Sequence, residues 1–139
     1  MKYLRADDYD KIHMGLRTGA NLIRQKATFG SELSSQAQEI ARILVGLQDN
    51  FEMKDFQTMR HEMLIALVAC APDVASYLIE TYFSGDLSIQ QRCILLSALG
   101  IGARELAGLE KTVMIFNVEA KFRKRLHRNY FLSHCTSNT

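Results

Sequence analysis

Apolar residues along this chain recur at steps of three and four, and five segments carry the pattern. In the first, Tyr9, Ile12, Leu16, Ala20, Ile23 and Ala27 form one stripe of a helical period, which predicts a helix over residues 7–27. Asp7 and Asp8 suit its positive end, and Arg24 and Lys26 suit its negative end. "TFGSE" breaks the pattern at Gly30, and Ser31 is placed to cap a second helix striped by Leu33, Ala37, Ile40, Leu44 and Leu47. After "QDNFE", a third helix is predicted from Lys54 to Ala71, burying Phe56, Met63, Leu64, Leu67 and Val68. Pro72 lacks an N–H that a first helical turn does not need, so it opens a short fourth helix, "PDVASYLIETYF", closed by Gly85.

The fifth segment begins with Ser88 and, three residues on, Gln91, the pattern of a capping box. From Ile89 to Ala107 the helix is apolar on several faces, through Cys93, Ile94, Leu95, Leu96, Ala98, Leu99 and Ile101. That predicts a helix lying between neighbours, with Leu96 buried at its centre. Gly100 and Gly102 are weak helix formers that fit where another helix packs close, and Gly108 ends the element. No segment alternates with a period of two, so the expected class is all-α. Five helices joined by short turns predict stacked antiparallel hairpins, an α-solenoid fragment of HEAT-like repeats. There is no exact repeat of the TPR or ankyrin kind.

Composition supports this and narrows it. A chain of 139 residues, 47% hydrophobic, can form one domain with a core, and it has a single proline and no tryptophan. Arg, Glu and Gln interrupt the apolar runs, so no membrane span or membrane partner is expected, and "MKYLRADDYDK" lacks the apolar core of a secretory signal. Cys70, Cys93 and Cys135 lack close spacing and read as small apolar residues in a reducing compartment. The net charge of +2 is unevenly spread: residues 1–108 carry 11 Lys/Arg against 13 Asp/Glu, whereas residues 109–139 carry 6 against 2. The chain therefore divides into a helical domain, 1–108, and a basic C-terminal helix or tail, 109–139.

Catalytic signals are absent from the pattern. His13, His61, His127 and His134 have no Cys or carboxylate partners at metal-binding spacing, and His61 beside Glu62 reads as a surface pair. "GIGARELAG" contains Gly-x-Gly but follows no strand and precedes no phosphate-loop lysine, so it reads as helix packing. No nucleophile elbow or Cys–His–Asn set can be assembled. The expectation is a non-enzyme with no cofactor and no bound metal. Arg92, Arg104 and Glu105 are the candidate partner-binding residues, with salt bridges bracing successive repeats as the other reading. Phe51, Phe56, Tyr82 and Phe83 are either core or partner anchors. In the tail, Lys121, Arg123, Lys124, Arg125 and Arg128 could grip phosphates of nucleic acid while Phe122, Tyr130 and Phe131 stack on bases. As an amphipathic helix, the same segment would pack Val118, Phe122 and Leu126 on the preceding helix with its basic side in solvent.

The order and spacing of "LIRQK", "LQDNFEMKDFQTMR", "ALVACAP", "YLIETYFSGDLSIQQR" and "ILLSALGIGARELAG" between Leu22 and Gly108 resemble the conserved domain of the telomere length regulation protein family. The resemblance implies part of a longer helical solenoid acting as a cytoplasmic and nuclear scaffold. It implies protein partners: the other solenoid subunits of the TTT complex, the heat-shock chaperone machinery, and the phosphatidylinositol-3-kinase-related kinases whose maturation depends on that complex. The chain is shorter than such members, and it contains no acidic, serine-rich linker of the kind through which they recruit a chaperone adaptor. Nothing beyond Gly108 carries the likeness. Against it stands the alternative of a module that binds nucleic acid, such as telomeric DNA, through the basic tail.

Overall fold

The computed structural model describes residues 2–29, 31–84 and 86–109. After a 3-10 turn at Lys2–Arg5, five helices follow: α1 (Tyr9–Ala27), α2 (Glu32–Gly46), α3 (Phe56–Cys70), α4 (Val74–Ser84) and α5 (Ile89–Leu106). There is no strand among the described residues. Helices α1, α3 and α5 form one row with α3 in the middle, and α2 and α4 pack against each other behind it. This two-layer stack of hairpins is the HEAT-like, α-solenoid arrangement that the periodicity predicts.

The helix ends are set by local chemistry. Asp8 caps α1, accepting from the backbone N–H groups of Asp10 and Lys11, and the Lys11 ammonium beside it holds its carboxyl below the usual range. Ser88 and Gln91 complete the predicted capping box, each side chain bonded to the other's backbone N–H. Ser31 precedes α2 but makes no side-chain cap; the hydroxyl of Ser35 turns instead to the Glu32 carbonyl. Pro72 stands in the turn before α4, where the Pro72 carbonyl accepts from Ala75. Gly108 ends α5 in the left-handed region, at φ 71°, with the Leu109 N–H reaching back to the Arg104 carbonyl. Gly85, expected to close α4, lies outside the described residues.

The core corrects one expectation about which helix is central. Six consecutive residues of α3, Met63 to Val68, are buried, a run that a helix attains only when neighbours cover it all round. α5 is buried along a single strip, Leu95, Ala98 and Gly102, which faces α3. Leu96 is 52% exposed rather than buried at the centre of its helix. The reason is position in the row: α5 is its last member, so its second apolar face meets no neighbour among the described residues. Glycines set the spacing of the row. A Cβ at Gly102 would lie 2.6 Å from Val68 Cβ, and one at Gly19 on α1 would run into the end of the Met63 side chain.

Between α2 and α3 the chain passes through Glu52 and Asp55 at φ 52° and 62°, with Asp49 accepting from the Met53 N–H at 2.9 Å. Arg60, 4% exposed, lies under this segment. Its guanidinium sits over the Phe56 ring and donates to the Leu47 carbonyl at 2.9 Å. Burial lowers its pKa, and its Nε has no partner. "LQDNFEMKDFQTMR" is thus a structural knot, built around a buried cation that ties the end of α2 to the start of α3.

Candidate partner-binding surface

The three residues singled out from sequence belong to α5, and the structure gives each a different setting. Glu105 accepts from Arg24 Nε at 2.8 Å and Nη2 at 3.0 Å, joining α5 to α1 across α3. Glu62 of α3 approaches the same guanidinium at 4.0 Å. The pair is half-buried, and the bond to Glu105 raises the Arg24 pKa against the opposing effect of burial. The Cys70 thiol lies near this cluster, and burial pushes it above its ordinary value. Arg92 stacks over the Tyr82 ring, with its guanidinium 5.4 Å from the centroid, and donates to the carbonyls of Tyr82 and Leu87. It thereby locks the α4–α5 turn. Arg104 is exposed on the last turn of α5.

The aromatics also separate. Phe56 is core, and Phe51 is exposed with its ring edge-on to Tyr9. Tyr82 is half-buried beneath Arg92, and Phe83 packs against Tyr82 edge-to-face while remaining 76% exposed. Phe83 and Ile79, one turn apart on α4, present a hydrophobic edge backed by the Tyr82–Arg92 stack. Sequence periodicity cannot single out this edge, because a core residue and an anchor on α4 have the same spacing. His61, read as a surface residue, is half-buried; burial lowers its pKa and its Nε2 is unpartnered.

Elsewhere a cleft of about 240 Å³ runs between α2 and α4, lined by Ser34, Gln38, Asp73, Tyr77 and Glu80 among others. Among the described residues no group of three or more His, Cys, Asp or Glu side chains gathers to hold a metal ion, and no helix is long and apolar enough to cross a membrane. Lys121, Arg123, Lys124, Arg125 and Arg128, the candidate nucleic-acid contacts, lie outside the described residues, as do Phe122, Tyr130 and Phe131. What the geometry offers is exposed apolar surface on packed helices.

The chain resembles known proteins over most of its length. The sequence profile described as "Telomere length regulation protein" matches residues 1–103, so the likeness extends over α1 as well as the later motifs. The telomere length regulation protein TEL2 of Saccharomyces cerevisiae is 38% identical over 100 residues, covering 72% of this chain and 14% of the yeast protein. The DNA replication checkpoint protein tel2 of Schizosaccharomyces pombe is 29% identical, covering 70% of this chain and 11% of that one. The chain therefore spans a small part of the length of these relatives. A solved Tel2 chain, described in connection with the Hsp90-dependent maturation of mTOR and ATR complexes, superposes with a TM-score of 0.66 at 35% identity, covering 80% of this chain and 19% of that chain.

Proposed function

The chain belongs to the telomere length regulation protein family, and from that premise we propose that it is a non-catalytic helical scaffold segment that binds protein partners. By analogy with the solved Tel2 chain, those partners are Hsp90-linked chaperone machinery and the mTOR- and ATR-type kinases whose complexes it helps to mature. The finer reading is that it engages other solenoid subunits of the TTT kind, in the cytoplasm and nucleus. The observation that carries the partner-binding role is the Ile79–Phe83 edge of α4. A ring 76% exposed, on a helix held rigid by Arg92 on Tyr82, is an anchor without a core function.

The test is Phe83→Asp in the full chain. Because the ring makes little core contact, the melting temperature should move by no more than about 2–3 °C, whereas co-purification of chaperone and kinase partners from cells should fall several-fold. Full retention of those partners by a folded Phe83→Asp chain would overturn the assignment of this edge.

A further inference from the structure

The cleft between α2 and α4 takes in neither Ile79 nor Phe83, and its lining is one-sided in charge. Its floor is built from small side chains, Ala37, Ala71 and Val74, each no more than 4% exposed. None of them reaches across, so the two helices leave a slot of about 240 Å³ between them. That is smaller than the roughly 300 Å³ at which small-molecule pockets begin, so the slot suits side chains laid in from outside rather than an enclosed cofactor. We propose that it docks an extended basic segment of a partner protein, one with two Lys or Arg side chains three positions apart.

Charge selects this occupant. Asp73 and Glu80 both line the slot and both are exposed, and among the described residues no Lys, Arg or His lines it. A carboxylate at Asp73 is what the start of any helix favours. Glu80 stands about two turns further along α4, where the helix dipole gives it no such reason. Between them lies the half-buried Tyr77, an aromatic wall for the methylene stem of a lysine or the plane of a guanidinium. On the opposite wall Ser34 and Gln38, one turn apart on α2, supply neutral donors and acceptors for a peptide backbone.

Spacing gives the register. The carbonyls of Ala71 and Pro72 already accept from Val74 and Ala75, so Asp73 sits on the first turn leading into α4. From there to Glu80 is about 10 Å along the helix axis. A chain in the polyproline II conformation rises about 3.1 Å per residue with about three residues per turn. Side chains at i and i+3 of such a chain share one side, about 9 Å apart, which matches the two carboxylates. A flat strand would turn the same pair to opposite sides. The proposal rests on the partner-binding reading only in taking the occupant to be a protein.

Fluorescence anisotropy with the purified full chain tests it. The probe is a labelled peptide of about ten residues, with two lysines three positions apart among Ala, Pro and Gly, in about 0.15 M salt. Saturable binding is expected, and Asp73→Asn and Glu80→Gln should each weaken it about threefold, their combination about tenfold. Gln38→Lys sets a cation on the facing wall at little cost in helix propensity, and should weaken binding about tenfold or more. Asp10→Asn, the same change of charge at the start of α1, should leave the affinity as it was. Equal weakening by Asp10→Asn means that binding follows net charge alone and overturns the proposal, as does no binding up to about 1 mM peptide. A peptide with glutamines in place of the lysines that binds equally well overturns it too. If sedimentation shows that the chain self-associates and Gln38→Lys abolishes this, the occupant is a second copy and the basic segment is ruled out. These readings need no cellular partner, so they stand or fall separately from the Phe83→Asp co-purification.

Discussion

Replacing Gly102 by alanine adds one methyl group at the place where α5 lies closest to α3. The new Cβ would sit 2.6 Å from Val68 Cβ and 2.8 Å from Val68 Cγ1, with the Ile65 carbonyl oxygen at 3.1 Å. Ordinary carbon contacts begin about 1 Å further out than the shortest of these. Val68 is anchored in α3 and buried, so its Cβ cannot swing aside; the two helices must separate. Overpacking of this kind costs about 2–3 kcal/mol. Alanine's better helix propensity returns about 1 kcal/mol. The net loss is about 1–2 kcal/mol, or a fall in melting temperature of about 4–12 °C for a domain of this size.

The control lies two residues away. Gly100 has no atom within 4 Å of its would-be Cβ, so Gly100→Ala should keep the propensity gain and stabilise the chain by about 0.5–1 kcal/mol. Urea unfolding followed by far-UV circular dichroism measures both, with unchanged slopes confirming that midpoints report stability. A Gly102→Ala chain at least as stable as the parent would mean that α3 and α5 do not meet at this spacing. The row described above would then be wrong.

Two other outcomes are expected. In a double-mutant cycle, Arg24→Met and Glu105→Gln should show a coupling of about 1 kcal/mol that shrinks in high salt, as befits a half-buried pair; additive effects would mean the bond contributes nothing. Burial holds the His61 imidazole below its ordinary pKa of 6.5, so the unfolded chain takes up a proton that the folded one refuses as pH drops below that value. Stability should be intact above pH 6.5 and decline as pH falls below it, and His61→Gln should flatten that decline in urea titrations. An equal decline in the variant would place the titrating group elsewhere.

Much of the fold was legible because each helix announces itself locally. The stripe of α2, the capping box at Ser88 and Gln91, and the buried Phe56, Met63, Leu64, Leu67 and Val68 all lie where the pattern puts them. The order of burial was not legible. α3 and α5 both look apolar on many sides, and only the three-dimensional order of the row decides that α3 is enclosed while α5 turns Leu96 outward. Arg60 shows a second limit: a cation at 4% exposure is invisible to hydropathy, since its hold on the Leu47 carbonyl depends on how the α2–α3 segment turns. His61 failed for a related reason, because its position on α3 half-covers it despite charged neighbours in sequence. At the candidate site, the pairing of Glu105 was a foreseeable kind of contact, but its partner stands 81 residues upstream. Nothing at either position names the other.

That bond has a consequence for how the helices come apart. In an array where each unit touches only the next, the ends can peel away one unit at a time, and stability is a sum of local terms. The Arg24–Glu105 clasp skips the middle helix and couples the two outer members of the row directly. Loosening α1 therefore weakens the hold on the far end of α5, and the reverse is equally true. Fraying from one side is felt at the other, so the five helices should melt as one block rather than unzip in sequence.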